Sequence, residues 1–467
     1  MTESGEARGG SWASAPRPAR RATVRLAAAA AIALLVAAAV AALRAVAPTR
    51  DFSARALVGV MGVAAGTYAA LSLLCAGLAG GPARRIAGRF ALAVAAGAVV
   101  LAALELPAWC CRLDWRRLLA RQDEAFFGRM KPWKNPWNLR DPELVYRRPP
   151  DTRVTGRALG DCVALLGVAR ATPYEYDVVY DSRGYRNAPT PASATVAVIG
   201  DSFVEAALVP GEELLTTRLE RALGVPVANL GVGGYGPLQQ AVVLRRDALP
   251  LAPRLVFWCF FEGNDLLDAR RIARHADDER ELAITFEERS FAANAARLLV
   301  RAFAPVRRVD SEEARRSSAT FTAADADRGA TVYFPFPARP LSQDDRSTLR
   351  EVTALLERAA AECRERGAEL VLVFVPEKFR VYRDLCDHPP DAYARDWQPS
   401  ELPELLAAWA RGAGVGFVDL TAALQRAAAR DGLVYFADDG HWNGRGHAVA
   451  AGELERAARE RGIGTAR

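Results

Sequence analysis

Five short apolar runs, rich in β-branched and aromatic residues and separated by helix-like stretches, constrain this chain more than any other feature. They fall at Thr195 to Ile199, Pro226 to Val232, Leu255 to Phe261, Leu370 to Val375 and Val415 to Leu420. Each has the length and continuous apolarity of a strand covered on both faces, and segments such as Glu212 to Leu223 and Thr348 to Arg366 carry helix-like patterns between them. Alternation of this kind predicts an α/β fold, three layers α/β/α with a central, mainly parallel five-stranded sheet. Ligands of such sheets bind beyond the carboxyl ends of the strands.

The first run ends in Gly200-Asp201-Ser202, which places a hydroxyl at or near a strand-to-helix turn. A serine alcohol is a weak nucleophile until a base takes its proton. The chain has four histidines to fill that role, His275, His388, His441 and His447. Carboxylates precede His441 by two and three positions in Ala437-Asp438-Asp439-Gly440-His441-Trp442-Asn443. An acid at Nδ1–H holds the tautomer that a general base needs. His447 falls where a helix begins and reads as a structural or supporting residue, while His275 and His388 read as surface histidines. Taken singly, Ser202 is a turn residue, Asp201 a helix cap, Gly231 to Gly236 a flexible turn and Asn264 a turn or cap. Ser202 together with a downstream acid-x-His cluster points to acyl transfer.

Four blocks in order complete a pattern: Gly200-Asp201-Ser202, Asn229-Leu230-Gly231-Val232-Gly233-Gly234-Tyr235-Gly236, Gly263-Asn264-Asp265 and Asp438-Asp439-Gly440-His441. With these the chain resembles the SGNH hydrolase superfamily, also called GDSL esterases and lipases, over about residues 140 to 460. The upstream Tyr180-Asp181-Ser182-Arg183-Gly184-Tyr185-Arg186-Asn187 is similar to the lead-in of membrane-attached bacterial members. The resemblance implies a flavodoxin-like sheet, Ser202 as nucleophile and His441 as base. It also implies an oxyanion hole made by the backbone N–H groups of Ser202 and Gly234 and the side-chain amide of Asn264. Donors fixed on a developing oxyanion lower the barrier by about 3–4 kcal/mol each where one has been removed. Asp438 fits the DxxH form of small GDSL esterases. Asp439 fits the DxH form of the alginate O-acetyltransferase-like branch, and the Trp442-Asn443 that follows favours Asp439.

The first 111 residues are of another kind. Leu26 to Leu43 is uncharged, Ala56 to Pro82 is uncharged, and Phe90 to Cys111 is apolar apart from Glu105. Each is long enough to cross a bilayer core as a helix, which takes about 20 residues. The expected organisation is therefore a cytoplasmic tail at 1–22 and a transmembrane region at 23–111, with spans near 26–43, 56–80 and 90–110. A membrane-proximal linker and lead-in follow at 112–190, then a catalytic domain at 191–467 with an insertion at 266–345. Arg17, Arg20, Arg21 and Arg25 before the first run, and Arg84, Arg85 and Arg89 before the third, place both segments in the cytoplasm and the catalytic domain outside the inner membrane. Arg112, Arg116, Arg117 and Arg121 oppose that orientation.

The insertion is rich in arginine and acid without a clear apolar period, and reads as a helical cap over the cleft or as a solvated helical surface. Only three of the 61 basic residues are lysine, a compositional bias, so the net charge of +6 carries little weight for a nucleic-acid partner. Among seven cysteines, Cys162, Cys363 and Cys386 are candidates for pairing. No CxxC, zinc-ligand spacing or phosphate-binding glycine loop occurs, and no cofactor or metal is expected. The expected activity is a membrane-anchored serine esterase or O-acyltransferase acting through an acyl-enzyme on an acyl ester or polysaccharide. A membrane acyl-donor protein is a possible partner. The alternatives are a lipase or lysophospholipase and a non-catalytic polysaccharide-binding envelope assembly protein.

Overall fold

Val196–Gly200 (β1), Val227–Gly231 (β2), Leu255–Phe261 (β3), Glu369–Val375 (β4) and Gly416–Asp419 (β5) form one sheet in the order β5-β4-β3-β1-β2. Every neighbouring pair in it is parallel. The computed structural model of the protein describes residues 82–119, 131–169, 172–275, 282–303 and 309–464. Each expected strand forms within a residue or two of its apolar run. The registers bring Gly200 opposite Gly231 and Val375 opposite Phe261, so the carboxyl ends of four strands finish along one edge.

The continuous apolarity of the strands follows from burial on both faces. Val196, Val198, Phe257, Cys259, Val371 and Val373 enter one core with Leu219, Leu424 and Leu454 from covering helices. Their neighbours Ala197, Ile199, Val256, Trp258, Leu370 and Leu372 enter a second core with Val243, Leu356 and Leu406. Alternate side chains thus feed opposite layers, and a polar residue at any of these positions would face a dry core. Full burial of one such aliphatic side chain contributes about 1.5–3 kcal/mol, so this double core stabilises the edge on which the site is built.

Ahead of the sheet, the lead-in forms two antiparallel hairpins, Leu139–Asp141 with Val145–Arg147 and Arg153–Ala158 with Tyr174–Val179. The helix Asp161–Leu165 lies between the strands of the second. The region expected as one insertion is used in several places. The helix Asp265–His275 follows β3 directly. Ser318–Phe321 and Thr331–Tyr333 build a three-stranded antiparallel sheet with Cys386–Asp387. The segment 285–303 joins residues 82–119 in a compact unit separate from the rest. The missing period has this cause, since consecutive pieces answer to different surroundings.

In that smaller unit the helix Pro82–Trp109 meets the helix Phe291–Phe303. Glu105, the one charge in the third apolar run, accepts hydrogen bonds from Ser290 Oγ at 2.8 Å, from the Phe291 N–H at 3.1 Å and from the Ala292 N–H at 2.7 Å. It therefore caps the second helix, whose first N–H groups have no partners within the helix. Trp115 donates its ring N–H to the Leu104 carbonyl at 2.8 Å and packs edge-on against Phe291. The tail at 1–22 and the expected spans at 26–43 and 56–80 lie outside the described residues. The third expected span coincides with the helix Pro82–Trp109, and among the described residues no helix is long and apolar enough to cross a membrane. All six described cysteines are free thiols. Cys162 and Cys363 are buried in separate apolar clusters, which keeps them from pairing with each other.

Candidate active site

Ser202 opens the short helix Ser202–Glu205 immediately after β1, and Asp201 caps that helix by accepting the Phe203 N–H at 3.0 Å. The capping role read for Asp201 is thus the one the geometry gives it. Burial pushes the Asp201 carboxyl up to about 6. Gly200 is required by close approach, since a methyl group there would lie 2.5 Å from Val204 Cγ2. The turn can then fold tightly over the strand end and leave the hydroxyl at the sheet edge.

His441 comes from the far end of the chain. Its backbone carbonyl accepts the Phe436 N–H at 3.1 Å, and the flanking Tyr435 and Trp442 pair as an isolated antiparallel bridge. Asn443 closes the loop by accepting the Arg445 and Gly446 N–H groups at the start of the helix Gly444–Arg459. The imidazole sits on the Phe203 ring with centroids 5.0 Å apart. From there Nε2 lies 2.7 Å from Ser202 Oγ, and Nδ1 lies 2.6 Å from Asp439 Oδ1. With the proton on Nδ1, Asp439 accepts it and Nε2 faces the serine hydroxyl as an acceptor. Burial works against a charged imidazole, but the Asp439 carboxylate and its hydrogen bond outweigh that, and with the Asp161 and Asp201 charges they raise the pKa to about 9. Asp439 itself is held below the usual carboxylate range, its own burial being outweighed by His441.

The doublet is divided between two tasks. Asp438 turns away from the imidazole and accepts a hydrogen bond from the Tyr174 hydroxyl of the second hairpin. Of the remaining histidines, His447 is buried and its Nδ1 accepts the Leu215 N–H at 3.1 Å, at the start of the helix Leu215–Leu223. Burial drives its pKa down to about 3, which keeps it the neutral acceptor that this bond needs. His388 is half-buried against Phe334 and Phe379.

The glycine loop after β2 is gripped from the lead-in. Glu205 is buried and accepts from Arg148 Nε and Nη2 at 2.8 Å each, from the Tyr180 hydroxyl at 2.6 Å and from the Gly233 N–H at 2.6 Å. Burial opposes its charge, but the Arg148 guanidinium prevails and keeps the carboxyl below its usual range. Tyr146 donates to the Gly233 carbonyl at 2.7 Å, so both polar groups of Gly233 are fixed. A methyl group at position 233 would lie 3.5 Å from Ser202 Cβ, which brings this loop against the nucleophile. Gly234 has φ of +84°, a left-handed backbone that side chains disfavour. Arg186 donates to the carbonyls of Glu205, Ala206 and Val209 and so ties the turn after Ser202 to the lead-in.

Asn264 stands between β3 and the helix Asp265–His275, with its carbonyl accepting the Asp268 N–H at 2.7 Å. Its side-chain Oδ1 is enclosed without a partner among the described residues. Asp265 is fully buried and accepts the Phe261 N–H at 3.0 Å; burial, and then the Asp201 charge, push its pKa well up.

Two further residues serve the acid–base loop. Lys378 follows β4, is buried, and donates to the carbonyls of Phe436, Ala437 and Asp439 at 2.6, 2.7 and 3.0 Å. Asp161, at the start of the helix Asp161–Leu165, receives the Gly440 N–H at 2.9 Å and gives its own N–H to Asp439 Oδ2 at 2.8 Å. Asp161, Asp439 and His441 present oxygen and nitrogen atoms within 4.8 Å of one another. The close His441–Asp439 and His441–Ser202 contacts use both ring nitrogens, an arrangement suited to moving a proton. Sequence reading singled out neither Arg148, Tyr174, Glu205 nor Asp161 as part of the site.

Comparison with known proteins meets the resemblance read from the four blocks. Residues 336–467 match the family described as SGNH hydrolase-like domain, acetyltransferase AlgX. A probable alginate O-acetylase AlgJ from Pseudomonas putida is 35% identical over 109 residues, which are 23% of this chain and 27% of the relative. The match thus spans about a quarter of that curated relative. Similar solved structures include a catalytic mutant of an acetylxylan esterase from Geobacillus stearothermophilus, 14% identical with a TM-score of 0.31, covering 60% of this chain and 99% of the other. A putative acylhydrolase from Bacteroides fragilis is 13% identical with a TM-score of 0.28, covering 57% and 86%.

Proposed function

We propose that this chain, an SGNH hydrolase-like protein with alginate O-acetylase relatives, is a membrane-tethered serine acyl esterase or O-acyltransferase acting on acetylated polysaccharide outside the cytoplasm. The observation that carries the reading is the line from Ser202 Oγ to His441 Nε2 at 2.7 Å and from His441 Nδ1 to Asp439 at 2.6 Å. Ser202 Oγ attacks the ester carbonyl while its proton passes to His441 Nε2. Asp439 stabilises the imidazolium that forms. The tetrahedral oxyanion is received by the N–H groups of Ser202 and Gly234 and by the side-chain N–H of Asn264. Collapse expels the alcohol, which takes the proton back from Nε2–H and leaves an acyl-Ser202 ester. Water or a sugar hydroxyl, deprotonated at the same nitrogen, then receives the acyl group and frees the serine.

The apolar runs Leu26 to Leu43 and Ala56 to Pro82 support the tether. The polysaccharide substrate rests on the family match and the alginate O-acetylase relative. The test is release of acetate from an acetyl ester, and acetyl transfer to a polysaccharide acceptor, by the full chain in detergent and by its Ser202→Ala variant. The variant is expected to lose about 10⁴-fold or more in kcat, and equal rates would sink the catalytic reading. The tether is tested separately, by whether the full chain stays with membranes through alkaline extraction and whether protease added outside the inner membrane reaches residues 131–464.

A further inference from the structure

Resting on that reading of Ser202 and His441, we propose that Asp161 is a positioning residue of the acid–base pair, a second carboxylate set beside the imidazole from outside the four blocks. Its Oδ2 lies 3.9 Å from His441 Nδ1, on the side of the ring that already faces Asp439. That distance is too long for a hydrogen bond and short enough for a direct charge–charge attraction. Its other oxygen, Oδ1, accepts the Gly440 N–H, and its backbone N–H donates to Asp439 Oδ2. One residue therefore fixes both the peptide between acid and base and the free oxygen of the acid. With Asp439 Oδ2 held by the Asp161 N–H, Oδ1 is the oxygen left to face Nδ1. A methyl group at Gly160 would lie 2.2 Å from the Asp438 carbonyl, so the chain before Asp161 is pressed directly against the acid–base loop.

The imidazolium formed when Ser202 gives up its proton would then meet two carboxyl groups. The charged and titratable groups around Asp161 are Asp439, Asp438 and His441 from the C-terminal loop, Lys378 from the segment after β4, and the neighbouring Cys162. Burial, and then the Asp439 charge, raise the Asp161 carboxyl to about 7. It is therefore charged through the higher range in which His441, raised to about 9, loses its proton.

Asp161→Asn separates charge from shape, because the amide keeps an oxygen for the Gly440 N–H and leaves the backbone contact to Asp439 intact. In the full chain, the acid limb of kcat/KM is expected to move down by about one pH unit, because loss of a negative charge within 4–6 Å makes the imidazole easier to deprotonate. The plateau kcat should fall about tenfold, the equivalent of one such unit in stabilising the imidazolium, while KM stays within about twofold. A wild-type limb and a wild-type kcat in Asp161→Asn would overturn the proposal. A lower kcat with an unmoved limb would also overturn it, since that outcome assigns Asp161 a purely structural part. A second measurement needs no variant of Asp161. The His441 ring-proton resonances of the native chain should show two inflections with pH, one from the ring and one from Asp161, and a single inflection counts against the proposal. Ser202→Ala run in parallel keeps the two readings apart. If it remains active the site itself has been misassigned, whereas if it is dead and Asp161→Asn behaves as wild type only this inference fails.

Discussion

The site has two halves that reach the same sheet edge by different means. One half is the set of strand ends, where Ser202, Gly234 and Asn264 sit on turns leaving the core, together with His441 in the loop before the helix Gly444–Arg459. The other is the lead-in before the sheet, where Tyr146, Arg148, Asp161, Tyr174 and Tyr180 reach over those turns and fix them by hydrogen bonds. On the proposed reading the first half carries the reacting atoms, and the second fixes the turns that present them. Precise placement is worth several kcal/mol in acyl transfer, so the second half is expected to show in rates as well as in stability.

The sharpest way to test that division is the aspartate pair, which has one member in each half's service. Asp439→Asn is expected to cost about 10³–10⁴ in kcat by leaving Nδ1 with the wrong tautomer or no counter-charge. Asp438→Asn, whose partner is Tyr174, should cost no more than about tenfold, and steady-state kinetics on the two variants decides between them. Equal losses would erase the distinction. Next in size is the lead-in's buried ion pair. Arg148→Met leaves Glu205 charged in a dry pocket and should destabilise the domain by about 3–5 kcal/mol, read as a lower urea midpoint. Arg148→Met with Glu205→Gln should recover part of that loss, yet leave kcat reduced because Gly233 has lost its anionic acceptor. Full recovery of kcat in the double variant would show that the network serves stability alone. The smallest effect is in pH dependence. Because Asp439 raises the His441 pKa to about 9 and the base must be neutral to act, activity should climb with pH through a limb well above 6.5. In Asp439→Asn that limb should move down towards the ordinary histidine value, and a limb that stays in place would assign it to another group.

The two halves also differ in how much of them the sequence discloses. Strand runs and glycine turns are visible because backbone geometry demands them. Both faces of β1 to β4 are buried, so nearly every residue must be apolar, and Gly200 and Gly234 occupy positions where a Cβ has no room or the wrong φ. The choice within the Asp438-Asp439 doublet stayed open for the opposite reason. It depends on Tyr174, which reaches Asp438 across 264 residues of chain and leaves no local trace. Asp161 in its own sequence is an acid in the first turn of a five-residue helix, indistinguishable from an ordinary helix-start residue. Glu205 and Arg148 were hidden likewise, since a charged residue gives no hint that its partner lies 57 positions away in a buried pocket. Glu105 was noticed as the odd charge in an apolar run, but its partners lie 185 to 187 residues further on.

The contacts from Asp161 to Asp439 and Gly440 join positions 278 and 279 residues apart, and His441 meets Ser202 across 239. Such contacts form only after the loop-closure entropy of most of the domain has been overcome. During synthesis, the nucleophile and every group of the lead-in emerge long before the base exists. A ribosome-bound chain therefore presents Ser202 without His441 or Asp439 beside it until synthesis has passed residue 441. The loop at 435–443, ahead of the last helix, is the part whose arrival completes the Ser202–His441–Asp439 line.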